Sequence, residues 1–219
     1  MAEMQDRSMK NTNESACGTL PNLPAFSVPR VDIYFSADIE TDGQIPGPNS
    51  MLSFALTYAG AFDGTKFYRP DNYDLSFYRE LRPISDEYDA EALAVNGLDR
   101  SELLENGSDP IKAMTEAAEW VKRVSGQYDP VCVAYPLSFD WSWLYWYFVR
   151  FSRTGSPFGF SRCYDLKTAV AVKFGRTVSG SGRDRIPSNL RPNVNHTHHA
   201  LDDAIEQAMI FANVFESRG

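Results

Sequence analysis

Apolar and polar residues alternate where the patterned part of the chain begins: Ile33, Phe35, Ala37 and Ile39 interleave with Tyr34, Ser36, Asp38 and Glu40. A period of two predicts a strand, and Thr41-Asp42-Gly43 ends it. Residues 43–49 carry Pro46 and Pro48 and read as a loop. Residues 51–61 are apolar enough for a second strand and residues 75–81 for a third. Three early strands with short connections predict an antiparallel meander. Beyond Pro83 the period lengthens, and helices are expected at 89–95 and 109–125, where Ile111, Met114, Ala117, Ala118 and Val121 recur at helical spacing. Asn96-Gly97 and Asn106-Gly107 punctuate them.

Residues 131–135 form a short, wholly apolar run expected as a buried strand, stopped by Pro136. Ser138 then opens an aromatic helix through Phe151, with almost no polar face. Such a helix is either buried on several sides or half covered by a partner, so a homodimer is one of two readings. After a turn at 154–158, residues 163–174 are expected as strand or helix, followed by the longest loop, 175–195. The last element, 198–215, places Leu201, Ala204, Ile205, Ala208, Ala212 and Phe215 on one helical stripe. Three strands, then mixed helices and strands closed by a helix, predict an α/β or α+β domain with a mixed sheet.

Composition narrows this picture. With 219 residues, 43% of them hydrophobic, the chain can bury one substantial core rather than two. Residues 1–28 are rich in Ser, Asn, Pro and Met without apolar periodicity and read as a disordered or surface-draped tail, leaving 29–219 as the domain. No apolar run approaches the roughly 18 to 20 residues of a membrane helix, and the first residues hold no signal-peptide core, so no membrane partner and a cytoplasmic location are expected. Three cysteines without a paired spacing agree with a reducing compartment. A net charge of −8 argues against a protein that coats nucleic acid by electrostatics alone. It leaves open an enzyme that grips one strand end.

Three places can carry chemistry. Asp38 and Glu40, at i and i+2 of a strand, point to one face with Cα atoms roughly 6–7 Å apart, close enough to grip metal ions side by side. The plainer reading is an exposed strand end with two solvated acids. Phe139-Asp140 sits at the start of the aromatic helix, where an acid is also favoured simply by the helix dipole. His198-His199-Ala200-Leu201-Asp202-Asp203-Ala204 opens the last helix, with Asp202 the better candidate for a mere cap. All three histidines fall within 196–199, which opens a zinc reading, but the segment has no cysteine and no HExxH motif. Gly175-x4-Gly180 lacks the lysine of a phosphate loop, and no Gly-x-Ser-x-Gly elbow is present.

The ordered set, Asp-x-Glu on a first strand, Phe-Asp opening a helix and His-x-Ala-x-x-Asp on a last helix, resembles the DEDDh-type 3′-to-5′ exonucleases. Their members include the proofreading subunit of bacterial replicative polymerase, ribonuclease T and the three-prime repair exonucleases. The resemblance implies a ribonuclease H-like fold: three antiparallel strands, then parallel strands, with helices on both faces. It implies that Asp38, Glu40, Asp140 and Asp203 bind two Mg²⁺ or Mn²⁺ ions, and that His198 is the general base. The implied partners are the 3′ ends of single-stranded DNA or RNA, and the implied product is a 5′-mononucleotide. Thr41, Asp42 and Phe139 are carried over as contacts to the terminal nucleotide. The family's His-Asn pair before Phe-Asp is replaced here by Tyr135-Pro136-Leu137-Ser138.

The long loop holds Arg176, Arg183, Arg185 and Arg191 against only Asp184. Either it grips substrate phosphates, with Arg183 and Arg185 foremost, or it is a solvated loop. Two other functional readings stay open: a module of the same fold that binds nucleic acid or protein without cleaving, and the same chemistry on a short or cyclic oligonucleotide.

Overall fold

The structure is a computed structural model that describes residues 30–194 and 196–217. The expected tail, 1–28, lies outside them. A six-stranded sheet forms the centre: β1 (Asp32–Thr41), β2 (Met51–Phe62), β3 (Phe67–Tyr68), β4 (Ser76–Glu80), β5 (Asp129–Ala134) and β6 (Cys163–Asp165). Its order is β3-β2-β1-β5-β6, with β4 also paired to β2. β2 runs antiparallel to β1 and β4, while β5 lies parallel to β1 and to β6. This is the expected mixed sheet. The edge strand β3 was not expected, because two residues are too short for any periodicity.

β2 reaches β3 by bending. The register against β1 shifts between Tyr34 and Phe35, where Ala59 is left unpaired. Gly60 follows with φ +129°, and a Cβ there would sit 2.5 Å from the Phe67 ring. Only glycine fits both demands.

The helices are α1 (Ala90–Asn96), α2 (Arg100–Asn106), α3 (Pro110–Ser125), α4 (Leu137–Phe151), α5 (Leu166–Lys173) and α6 (Ala200–Glu216). Asp89, Asp99, Asp109 and Asp165 cap the first, second, third and fifth by accepting backbone N–H groups. Alternation along β1 divides the core. Ile33, Phe35, Ala37 and Ile39 pack with Met114, Trp120 and Val121 of α3 and with Trp143, Leu144 and Phe148 of α4. Tyr34, on the opposite face, joins Val170 of α5 and Phe211 and Val214 of α6. The strand is therefore covered on both sides. Removing a ring such as Phe35, which is fully buried, would cost about 3–5 kcal/mol.

The aromatic helix α4 is covered mainly from within the chain. Trp143, Leu144, Tyr147 and Phe148 are buried, Trp141 stacks on Tyr145, and the Tyr147 hydroxyl accepts the Met51 N–H at 2.7 Å. Over residues 175–194 the loop is not simply solvated: it makes two short 3-10 turns, Arg183–Arg185 and Ser188–Leu190, and buries Ile186 and Leu190 against the α6 side of the sheet. No helix among the described residues is long and apolar enough to cross a membrane.

Candidate active site

β1 and β5 are parallel, so their carboxyl ends open on the same edge of the sheet, where α/β folds place ligands. Asp38 and Glu40 occupy that end of β1 and, by alternation, face α6. Asp140 reaches the same place because α4 begins directly after β5. Proline, not an acid, stands at the α4 N-cap, and Asp140 is buried with 7% exposure. Asp140 does lie in the first turn of α4, as the dipole reading has it, but its burial goes beyond what that reading asks. α6 begins at Ala200, two residues later than expected, and its first turn delivers Asp203 at 1% exposure while Asp202 faces outward. Carboxylate oxygens of Asp38, Glu40 and Asp203 lie within 4.8 Å of one another.

Burial first, and neighbouring charge second, raises the pKa of Asp38 and Glu40, and burial raises that of Asp140. Burial, then the charges of Asp203 and Asp140, pushes the Glu40 carboxyl up to about 8. Burial pushes Asp140 up to about 7, against backbone hydrogen bonds and the nearby Arg183. Asp38 is raised by burial first and by Asp140 next, with Arg183 opposing. All these donors are oxygens, the ligands of hard divalent cations. Asp203 Oδ1 accepts the Thr197 N–H at 3.1 Å, whereas its Oδ2 is buried without a hydrogen-bond partner among the described residues. The acidic cluster thus fits a divalent cation.

The three histidines approach from the segment before α6. His198 adopts φ +54°, a left-handed conformation uncommon outside glycine, and its ring meets that of His196 edge-on at 4.5 Å. His196 Nδ1 lies 2.8 Å from Asp203 Oδ1. His199 points elsewhere, against the Tyr78 ring at 4.9 Å. Both His196 and His198 line a cleft of about 770 Å³ together with Asp38, Glu40, Asp140, Asp203, Phe139 and Arg183.

Of the expected substrate contacts, Phe139 and Arg183 line the cleft, and Thr41, Asp42 and Arg185 do not. Asp42 is fully buried: it pairs with Arg100 at 3.0 Å and accepts the Ser50 N–H at 2.5 Å. It ties the β1 end to α2 and has no surface to offer a nucleotide. Thr41 is spent on the Gly43 carbonyl at 2.8 Å. The Arg185 side chain is 64% exposed and lies beside Asp184. Arg183, by contrast, holds Glu206 at 3.1 Å, lies over the Tyr135 ring and reaches within 4.0 Å of Asp38.

Two functional candidates escaped the sequence reading. Glu206 and Gln207 follow Asp203 at i+3 and i+4, hence on its face of α6, and both are buried. Gln207 Nε2 donates to Asp38 Oδ1 at 2.6 Å. The signal was available: polar residues one turn after a candidate ligand, inside an otherwise apolar helix.

The family model described as 3′-5′ exoribonuclease Rv2179c-like domain matches residues 64–215. That span holds Asp140, His198 and Asp203, whereas Asp38 and Glu40 precede it. Among curated proteins, the chain is 33% identical over 181 residues to the 3′-5′ DNA exonuclease Cap18 of Escherichia coli, covering 82% of this chain and 90% of that one. Among solved structures it is similar to the nuclease domain of 3′hExo, a DEDDh family member bound to rAMP. That match has a TM-score of 0.61 and 12% identity and covers 85% of this chain and 92% of the other. It is also similar to E. coli Exonuclease I with a dT13 oligonucleotide, at TM-score 0.56 and 14% identity over 86% of this chain. The chain spans 41% of that exonuclease. Sequence and architecture agree, and the protein belongs to the 3′-5′ exoribonuclease Rv2179c-like family, 3′-5′ exonucleases of DEDDh-type fold.

Proposed function

We propose that the protein removes 5′-mononucleotides from the 3′ ends of single-stranded DNA or RNA, with Asp38, Glu40, Asp140 and Asp203 holding two divalent cations, Mg²⁺ or Mn²⁺. One observation carries this reading. Acids from a strand and two helices are gathered in one partly buried place, with Arg183 and His196 as their near basic neighbours. Uncompensated buried carboxylates are costly, and a bound cation removes that cost. Cations so held would acidify a water and neutralise charge on the leaving oxygen.

The chain's own residues supply the rest. His198, at the cleft rim, takes the proton of the attacking water as its oxygen bonds to the terminal phosphorus. The P–O3′ bond breaks, the phosphate departs on the released 5′-mononucleotide, and the 3′-oxygen, which stays on the shortened strand, is protonated from solvent. Gln207 orients Asp38. Phe139, 42% exposed, offers a ring face to a base without reading its identity. Arg183, held by Glu206, grips a phosphate oxygen. A cleft of about 770 Å³ is ample for one nucleotide.

Both sugars belong in the test, since the family description names a ribonuclease and the E. coli relative is named for DNA. 5′-labelled single-stranded DNA and RNA are incubated with Mg²⁺, Mn²⁺ or EDTA, using wild type and Asp203→Asn. A ladder shortening from the 3′ end, dependent on metal and lost in the variant, is expected. Metal-independent cleavage, or cleavage unchanged by Asp203→Asn, refutes the assignment.

A further inference from the structure

We propose that His196, His198 and Asp203 form a binding site for a zinc-class transition metal ion, and that its occupation switches the exonuclease off. From the sequence alone zinc has little support, because the 196–199 segment holds no cysteine and no HExxH motif. The fold changes this by folding the 196–199 segment back over α6. Ring nitrogens of His196 and His198 and a carboxylate oxygen of Asp203 all lie within 4.8 Å of one another. His196 Nδ1 is 2.8 Å from Asp203 Oδ1 and 3.4 Å from Glu206 Oε2. Tetrahedral zinc, with bonds of about 2.0–2.2 Å, sets neighbouring donors roughly 3.3 Å apart, so small side-chain rotations suffice. A second observation points the same way. Asp203 is 1% exposed, and while its Oδ1 lies beside His196, its Oδ2 is buried without a hydrogen-bond partner among the described residues.

Chemistry separates this site from the all-oxygen cluster of Asp38, Glu40 and Asp203 that shares the carboxylate. Two imidazoles favour Zn²⁺, Co²⁺ or Ni²⁺ over Mg²⁺, which prefers oxygen and keeps its water. Arg183 now lies 2.6 Å from His196 Nδ1 and must turn aside when an ion binds there. A zinc ion so placed would occupy the ring that accepts the water's proton and one carboxylate of the hydrolytic cluster. The inhibitory half of the proposal rests on the exonuclease reading, while the binding half does not.

Cobalt(II) is the probe. Titrated into the full chain without magnesium, it should give the visible bands of a four-coordinate nitrogen and oxygen site. Zn²⁺ should bleach them, and excess Mg²⁺ should leave them. His196→Gln should abolish the bands, and His196→Cys, which restores a ligand, should bring them back with added thiolate charge-transfer absorption. In the cleavage assay at saturating Mg²⁺, His196→Gln should raise the inhibitory zinc concentration at least about tenfold, relative to its own zinc-free rate. A weak six-coordinate spectrum in wild type, bands that survive His196→Gln, or displacement by Mg²⁺ overturns the site. Bands without inhibition overturn the switch. If no strand is cleaved at all, the exonuclease reading fails and the cobalt spectrum still decides the site.

Discussion

Asp140→Asn should make the metal-free protein more stable, and increasingly so as pH rises. Asp140 is buried at the α4 start, facing Asp38 and Glu40 of β1, Asp203 and Glu206 of α6, and Arg183 of the loop. Its carboxyl is raised from 3.8 to about 7. A raised acid contributes full stability below its unfolded pKa. From there the unfolded chain ionises first, and stability is lost until the folded carboxyl also ionises. At about 1.4 kcal/mol per pKa unit, the gap between 3.8 and about 7 is worth on the order of 4 kcal/mol. Asparagine has no charge to bury but loses one acceptor, worth about 1 kcal/mol. The expected gain is therefore close to zero at pH 4 and about 2–4 kcal/mol at pH 8. Urea unfolding in EDTA between those pH values measures it, with the buried Trp120 and Trp143 as fluorescent reporters. Adding Mn²⁺ should restore wild type and leave the variant behind. A gain that does not grow with pH, or a loss at pH 8, would refute the reasoning.

Other outcomes follow from single contacts. Arg100→Ala leaves the buried Asp42 without its cation and should cost about 3–5 kcal/mol in thermal or urea unfolding; the double variant with Asp42→Ala should cost less than the sum. Gln207→Leu removes the donor to Asp38 and should weaken Mn²⁺ binding about 10- to 100-fold by calorimetry, with the fold intact. Arg183→Ala should reduce the salt slope of oligonucleotide binding by about 0.7, while Arg185→Ala should leave it unchanged. Tyr135→Phe loses the hydroxyl that donates to the Ser181 carbonyl at 2.6 Å and should loosen the loop, raising KM several-fold for about 1 kcal/mol of stability.

The first strand and the candidate site's first two acids were legible for one reason: period two both makes β1 a strand and aims Asp38 and Glu40 at one face. The C-terminal helix was read less well. Of the expected stripe, Ala204, Ala208 and Ala212 are buried, but Leu201, Ile205 and Phe215 are half-buried, and the inward face also runs through Asp203, Gln207, Phe211 and Val214. Hydrophobicity cannot find a buried face whose site end is polar. The loop's packing was hidden for a related reason: four arginines and few apolar residues give no buried pattern, yet Ile186 and Leu190 anchor it. Arg176 bonds the Arg185 carbonyl and Arg191 the Ile186 carbonyl, so two of the charges are spent on the loop's own backbone. Asp42 shows the converse, since a motif position next to a ligand can serve the fold instead.

The wide separation of the site's parts along the chain has a consequence for synthesis. Asp38 and Glu40 leave the ribosome first, Asp140 much later, and Asp203 only with α6, which packs across β1, β2 and β4. Until those distant segments meet, a growing chain can pair its early strands yet lacks the oxygen donors and histidines of α6 and its approach. A growing chain of this design carries only half of its candidate site, because the acids of β1 wait for those of α4 and α6 to dock beside them.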